Sequence, residues 1–442
     1  MKKNKQLSKK VIMPVRTRNF QTLRGMRDIL PDKQPYWDRV RKIVEKTAVD
    51  YGYKRIDLPL VENRMLFERS AGNGTDVVEK EMFKFKTQGG DDACLRPEGT
   101  PGIVRAYLQN GMQVWPKPVK LFYIGQMYRY DRPQEGRYRE FYQFGFESLG
   151  EEDSVLDAQV IQLALQIYNQ LGFKKISLQL NSIGCSDCRT DYNKILLSYL
   201  KSQTKSLCED CRKRIKINPL RVLDCKEEKC TRVVAQAPQT IDHLCKDCKK
   251  HFSFLLECLD EMDVVYEINP RLVRGLDYYN RTVFEFWPVD KQGVANERLS
   301  LGGGGRYDYL VKKLGGKETP AVGFAAGIDR IVEQMEILGT KKWEYPQPEV
   351  YLAQLGDLAK KKSLKIFQKL EKAGIMVAES FGRGSLKTQL RQADQMKIGL
   401  VLIIGQREAL DETVIFKDMT SGSQEIISFE KAVAYVKKRL KN

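Results

Sequence analysis

The first candidate chemistry lies in Leu95-Arg96-Pro97-Glu98-Gly99-Thr100, where a carboxylate sits between a proline and a glycine. A turn of this kind can face Glu98 towards a cationic ligand such as an α-ammonium, although the same residues also make an ordinary turn. Arg129, Arg132, Arg137 and Arg139 fall within eleven residues. A solvated basic loop is the plain account of them. A guanidinium fork, charged at any working pH, can instead grip phosphate oxygens at two points and stabilise charge at a phosphoryl centre. Leu272-Val273-Arg274-Gly275-Leu276-Asp277-Tyr278-Tyr279 adds an arginine beside a glycine and a tyrosine pair, and such tyrosines commonly serve as core aromatics. Gly302 to Gly305 precede Arg306-Tyr307-Asp308. No Gly-Lys-Ser/Thr follows, so this is not a P-loop; it reads as a flexible loop, or as a strand across which a flat ligand lies. Gly323-Phe324-Ala325-Ala326-Gly327-Ile328-Asp329-Arg330 feeds small residues into a helix whose first turn carries an arginine. His243 and His251 lie outside all of these stretches, so the candidate site has no imidazole base.

Three Cys-x-x-Cys pairs, Cys185/Cys188, Cys208/Cys211 and Cys245/Cys248, accompany a wider pair, Cys225/Cys230. Thiolates at this spacing suit tetrahedral Zn²⁺, and these eight ligands would fill two structural sites. Reduced, unliganded thiols are the alternative, and the sequence leaves the pairing open. Cys94 and Cys258 read as ordinary buried residues.

The elements that must position these groups follow from periodicity. Trp37, Val40, Val44 and Ala48 recur at helical spacing after Pro31-Asp32, and Gly52 ends that helix. Arg55 to Val61 reads as a strand. A second long helix is predicted from about Ser154 to Leu171, with Gly172 where a left-handed residue is wanted. Between the helices, Lys120 to Arg129 and Glu140 to Glu147 form a strand-turn-strand unit. Alternation places Tyr123, Gly125, Met127 and Arg129 on one face, and Phe141, Gln143, Gly145 and Glu147 on one face of the second strand. Glycines beside polar residues suit a sheet surface that leaves room for a ligand. Strands are also expected at Ile176 to Leu180, Thr282 to Trp287 and Leu299 to Gly303, with a strand leading into a helix over Pro320 to Gln334. After Pro346 and Pro348, residues 349–442 alternate as a small α/β unit with a mainly parallel sheet.

A chain of 442 residues, 42% of them hydrophobic, can build two or three cored domains. Apolar runs such as Leu400 to Ile404 are far too short to cross a bilayer, and no signal-peptide segment follows the basic N-terminus, which predicts a cytoplasmic protein without a membrane partner. The net charge of +18 and pI near 9.3 favour a polyanionic partner. Nine basic and no acidic residues between Met1 and Arg27 put part of that excess in a tail, either a solvated extension or a nucleic-acid contact. Ten cysteines in a cytosolic chain argue against a disulfide scaffold.

Taken in order, these stretches resemble the class II aminoacyl-tRNA synthetases, and the histidyl branch among them, from about Thr22 onward. The specific pieces are Leu95 to Thr100, Tyr128 to Tyr138, Leu272 to Tyr279 and Ala321 to Arg330, with Arg24 to Pro31 and Asp76 to Met82 in support. Tyr128-Arg129-Tyr130-Asp131-Arg132 stands where Phe-Arg-His-Glu-Arg is common in the family, a change that keeps the aromatic and acidic character. The resemblance implies that Arg129 grips the ATP α-phosphate and the histidine carboxylate, and that Arg137 and Arg330 hold the β- and γ-phosphates. It makes Arg274 the catalytic arginine. Glu98, Gly99, Thr100 and Gln143 would receive the substrate ammonium, Glu147, Tyr278 and Tyr279 the imidazole, and Tyr307 would close the pocket. Gln134 would touch the tRNA acceptor end. Partners so implied are L-histidine, tRNA(His), ATP with Mg²⁺, and a second copy in a homodimer with its interface around Pro59.

The implied architecture is α+β: a class II antiparallel sheet with flanking helices and a helical insertion, plus a C-terminal α/β anticodon-binding domain. Its expected bounds are a disordered tail at 1–20, a catalytic domain at 21–335 with the cysteine-rich insert at 181–262, a linker at 336–348, and the anticodon-binding domain at 349–442, where Leu386-Lys387 and Gly405 match. A non-catalytic relative, the regulatory subunit of ATP phosphoribosyltransferase, would lack the Arg274 to Tyr279 stretch and the C-terminal domain. A zinc-dependent nucleic-acid-binding protein would explain charge and cysteines but not the arginines. A synthetase for another amino acid would lack Arg-Gly-Leu-Asp-Tyr-Tyr.

Overall fold

The computed structural model describes residues 20–72, 75–132, 136–290, 292–296, 299–382 and 384–440. The chain divides into two compact units, Met1–Trp343 and Glu344–Asn442. In the first, six strands run antiparallel to their neighbours: β1 (Val119–Tyr128), β2 (Glu140–Leu149), β3 (Ile176–Ser182), β4 (Asn280–Pro288), β5 (Gly302–Arg306) and β6 (Ala321–Gly327). Their order is β1-β2-β6-β5-β4-β3, and the short strands Lys54–Arg55 and Glu267–Ile268 pair parallel at the two edges.

The period of two divides each strand between two environments. Phe144 and Phe146 of β2, Phe284 and Phe286 of β4, and Val322, Phe324 and Ala326 of β6 enter one apolar cluster. Four helices cover that face: α1 (Gln34–Asp50), α2 (Val155–Leu171), α3 (Lys246–Glu261) and α4 (Ile328–Leu338). Helix α1 buries Trp37, Val40, Val44 and Ala48, the positions its periodicity marks, and α2 ends at Gly172 with φ +96°. Each large aliphatic or aromatic side chain placed in this layer contributes about 1.5–3 kcal/mol. The opposite parity, including Tyr123, Gln143, Glu147 and Glu285, faces the second cluster and the site. Fully buried Arg306 ties β5 to the start of α2 through Asp157 (2.8 Å) and the carbonyls of Glu151 and Asp153.

Some boundaries differ from the periodicity reading. Arg55 to Val61 is not one strand; only Lys54–Arg55 and Val61–Asn63 pair, in different sheets. Pro59 between them has no N–H to donate to a ladder. The strand placed at Leu299 to Gly303 begins at Gly302 and runs through all four glycines to Arg306. Helix α4 extends to Leu338, where Gly339 adopts φ +63°. Within residues 181–262, Asn181 and Ser182 still pair in β3, the helices Ser186–Ser202, Glu209–Ile217 and Glu228–Val234 follow, and α3 packs with the sheet core.

The second unit has a five-stranded sheet in the order Val377–Glu379, Val350–Gln354, Leu400–Ile404, Thr413–Asp418, Gln424–Ser428. The first two pairings are parallel and the last two antiparallel, so the sheet is mixed and not mainly parallel. The strand Gln424–Ser428, with its exposed start, lacks the apolar alternation that marks its neighbours. Helices Asp357–Lys372, Leu386–Gln395 and Ala432–Leu440 accompany the sheet.

Candidate active site

The open face of the sheet carries two buried carboxylates. Glu147 on β2 accepts hydrogen bonds from the hydroxyls of Thr100 (2.6 Å) and Tyr307 (2.5 Å). Thr100 opens the helix Thr100–Gln109 and Tyr307 directly follows β5, so three separate elements converge on this carboxylate. Glycine 323 on β6 makes the approach possible: a Cβ there would stand 1.8 Å from Glu147 Oε2. Burial pushes Glu147 up to about 8; the two hydroxyls oppose that rise and the charge of Glu98 adds to it.

Glu98 accepts from the Tyr278 hydroxyl at 2.6 Å through Oε2. Its other oxygen is buried and has no partner among the described residues, and the same holds for Gln143 Oε1. A buried carboxylate oxygen left unpaired costs free energy that a cationic N–H donor restores. Burial pushes Glu98 up to about 7, with Tyr278, Arg129 and Arg274 pulling the other way. Tyr278 lies 4.7 Å from Tyr279 and 5.9 Å from Tyr307 between ring centroids, so the tyrosines form an aromatic wall beside the two acids.

The arginines gather beside this pocket. Arg129 lies one residue past β1, where its backbone N–H still pairs with Arg139 O, and its Nε donates to Pro97 O at 2.9 Å. Arg330, in the first turn of α4, donates to the carbonyls of Gly136 (3.1 Å) and Ser300 (2.8 Å). Burial and then the charges of Arg137 and Arg129 hold Arg330 below its ordinary value. The charge of Arg330 is thus disfavoured by two neighbouring cations, a repulsion that a polyanion would relieve. Arg137 pairs with Asp131 at 3.5 Å. Arg274 forms an ion pair with Glu285 of β4, whose other oxygen accepts from Trp287 Nε1 at 2.9 Å.

The structure therefore brings Glu98, Thr100, Gln143, Glu147, Tyr278, Tyr279 and Tyr307 to one side of the sheet, with Arg129, Arg274, Arg137 and Arg330 around them. Gln134 lies outside the described residues. The glycines have a different use from that inferred. A Cβ at Gly99 or Gly145 would strike the Tyr123 ring (2.2 and 2.5 Å), and one at Gly125 would strike the Arg96 guanidinium (2.3 Å). A Cβ at Gly303 would lie 2.7 Å from Arg274 Nη1. These positions admit protein side chains, which then shape the pocket. Glu285 was missed by sequence reasoning; its signal is a lone charge between aromatics, at the site-facing parity of Val283-Phe284-Glu285-Phe286-Trp287. His251 lies 3.8 Å from Asp157, away from the pocket, and burial holds its pKa down to about 3. The cysteines form two groups, Cys185/Cys188/Cys245/Cys248 and Cys208/Cys211/Cys225/Cys230, each with all sulfurs within 4.8 Å.

Comparison with known proteins decides the family. The histidyl-tRNA synthetase model matches residues 25–331. The chain belongs to the histidyl-tRNA synthetase family. As a member it is an aminoacyl-tRNA synthetase, a ligase that charges tRNA with histidine using ATP and Mg²⁺. An anticodon binding domain model matches residues 349–439, the part that the regulatory-subunit alternative expected to be lost. A histidine–tRNA ligase of Dehalococcoides mccartyi is 46% identical over 421 residues, 95% of this chain and 100% of the relative. One from Acetivibrio thermocellus is 41% identical over 417 residues, covering 94% and 99%. The crystal structure of apo S. aureus histidyl-tRNA synthetase superimposes with a TM-score of 0.76 at 31% identity, covering 95% of this chain and all of that one. The α+β fold expected from the family motifs is the fold observed.

Proposed function

We propose that the pocket around Glu98 and Glu147 binds L-histidine, that Arg129, Arg137 and Arg330 bind ATP, and that Arg274 is the catalytic arginine. The observation that carries this reading is the buried, unpartnered Oε1 of Glu98. An α-ammonium donates to it, with Gly99, Thr100 and Gln143 beside it. Glu147, oriented by Thr100 and Tyr307, accepts from the imidazole N–H, and Tyr278 and Tyr279 wall the ring. A side chain without that donor leaves Glu147 with only its two hydroxyl partners, forgoes this bond and binds less well.

The histidine carboxylate, already ionised, attacks the α-phosphorus and pyrophosphate leaves. Arg129 and Arg274 stabilise the charge that develops, while Arg137 and Arg330 hold the leaving phosphates. Mg²⁺ arrives with the nucleotide, held mainly by phosphates and water. The tRNA 3′-terminal hydroxyl then attacks the carbonyl of the adenylate, forming the ester and releasing AMP. Gln134 contacts the acceptor end of tRNA(His), and the positive excess of the chain suits that polyanion.

To ATP and its Mg²⁺ this reading adds structural Zn²⁺ in the cysteine-rich insert. It also adds a homodimer around Pro59, supported by exposed Leu60, Val61, Met65 and Phe85 on and beside one small sheet. A cytoplasmic location fits as well; among the described residues no helix is long and apolar enough to cross a membrane.

ATP–pyrophosphate exchange with histidine and with a panel of other amino acids tests the proposal. Exchange with histidine alone is expected, and exchange with none of them by folded protein overturns it.

A further inference from the structure

The cysteines of the insert are paired by the tertiary structure in a way the sequence leaves open. Cys185 and Cys188 meet Cys245 and Cys248 from the far end of the insert, while Cys208 and Cys211 meet Cys225 and Cys230. Sulfurs on the corners of a tetrahedron with Zn–S arms of about 2.3 Å stand roughly 3.8 Å apart. Cys185 and Cys188 are 3.6 Å apart, and Cys208 and Cys225 are 3.9 Å apart. A disulfide would need about 2.05 Å.

Backbone amides already point at the sulfurs. Cys208 N–H donates to Cys230 Sγ (3.1 Å), Cys211 N–H to Cys208 Sγ (3.4 Å), Cys245 N–H to Cys188 Sγ (3.0 Å) and Cys248 N–H to Cys245 Sγ (3.5 Å). Such bonds stabilise thiolate, the form that binds metal. Glycine 184, at φ +69°, lets the chain turn against Cys188, because a Cβ there would lie 2.5 Å from Cys188 Cβ. Helices of nine and seven residues, Glu209–Ile217 and Glu228–Val234, are also too short to be stable without a tie.

Each cluster sits at the start of a helix that grips the same segment of the candidate histidine pocket. Arg189, one residue after Cys188, donates to the carbonyls of Asp277 (3.3 Å) and Tyr279 (3.0 Å). Asn218, which ends the helix begun at Cys208, donates to Asp277 Oδ1 at 2.6 Å. A small cavity between them is lined by Arg189, Asn218 and Arg221 on one side and by Arg274, Asp277 and Tyr279 on the other.

We propose that the insert binds two Zn²⁺ ions, one in each of these four-cysteine sites, and that Arg189 and Asn218 thereby act as positioning residues for Asp277, Tyr278 and Tyr279. The positioning half rests on the histidine-site reading above; the metal half does not. Each ion displaces the remaining thiol protons as it binds.

The test uses the full chain purified from zinc-replete medium. Metal analysis is expected to give about two zinc atoms per chain, and Cys225→Ser and Cys245→Ser each to lose one. Should those variants fail to fold, cobalt(II) exchanged into the wild-type chain reports the ligands, with the visible absorption of tetrahedral tetrathiolate expected. Zinc near zero, or a cobalt spectrum without four sulfurs, overturns the metal sites. Asn218→Ala and Arg189→Lys are expected to keep both zinc atoms while the histidine KM rises about tenfold, as when a supporting partner of a site is lost, and the ATP KM stays unchanged. An unaltered histidine KM in both overturns the positioning role. Wild-type protein with two zinc atoms but no exchange with any amino acid would sink the functional reading and leave the metal sites standing.

Discussion

Arg274 and Glu285 form a largely buried ion pair across the open face of the sheet, and Gly303 leaves the space that the guanidinium fills. Trp287 holds the other oxygen of Glu285, so the arginine is aimed by a carboxylate that is itself fixed. Arg274→Ala is expected to lower kcat for histidine-dependent exchange by about 10²–10³, the effect of removing one donor from a developing charge. Glu285→Gln keeps the guanidinium but loosens its aim, and a smaller loss in kcat is expected. Steady-state exchange kinetics check both. A fully active Arg274→Ala would remove that residue from the chemistry.

The two buried acids make the free protein sensitive to pH. Glu98 at about 7 and Glu147 at about 8 lie above the ordinary carboxylate value near 4.5. Both are protonated in the fold at pH values where the unfolded chain has already ionised them. The stability they contribute is therefore complete below about 4.5 and is lost as pH rises through 7 and 8, on the order of 3 kcal/mol for Glu98. Thermal melts without substrate are expected to fall between about pH 4.5 and 8 and to level off above that, and Glu98→Gln to flatten part of that slope. A wild-type melting profile level across this range would contradict the burial argument.

The same titration controls substrate affinity with the opposite sign. An α-ammonium binds the Glu98 carboxylate, so histidine KM is expected to drop as pH rises towards 7. Free histidine also titrates near 6.5, which makes Glu98→Gln the necessary control. That variant should bind histidine weakly at every pH, and the wild-type to variant ratio should carry the Glu98 limb alone.

Burial and then the charges of Arg137 and Arg129 disfavour the charged form of Arg330 in the free chain. ATP is expected to raise Tm, since a ligand at a hundredfold its Kd adds about 2.7 kcal/mol to the folded state. Arg330→Ala should reduce that shift while raising the ATP KM, and histidine affinity should hold. An ATP shift undiminished in this variant, read by differential scanning fluorimetry, would place the nucleotide elsewhere.

Two glycines separate folding from binding. A Cβ at Gly304 would lie 1.9 Å from the backbone oxygen of Gly323, which has little freedom to yield. Gly304→Ala is expected to abolish soluble protein or lower Tm sharply. A Cβ at Gly323 meets the Glu147 carboxylate, a side-chain end that can shift only by giving up its bonds to Thr100 and Tyr307. Gly323→Ala should fold, with destabilisation of about 1–3 kcal/mol from overpacking, and with histidine KM raised far more than ATP KM.

Much of this was legible in short segments. The periodicity of Trp37 to Ala48 and of Leu156 to Leu171 marks two helices because one apolar face of a helix is a local property of the chain. Parity along Phe141 to Glu147 separates Phe144 and Phe146 from Gln143 and Glu147 for the same reason. The stretches around Glu98, Arg129, Arg274 and Arg330 were recognisable because residue types in a fixed local order carry the resemblance to the family.

The rest needed the fold. Glu285 has no sequence neighbour that reveals Arg274 as its partner, and Asn218 lies 59 residues from the Asp277 it grips. Gly99 and Gly145 serve one tyrosine ring that neither segment contains. Cys188 meets Cys245 across the whole insert. By itself the sequence determined the family, the long helices, the parity of the strands and the chemical inventory of the site. Only the tertiary structure decided which carboxylate aims which arginine, what fills the space above each glycine, and how the cysteines pair. Periodicity and side-chain chemistry belong to a few consecutive residues, whereas facing partners are set by strand register and chain crossings, which arise from packing over the whole domain.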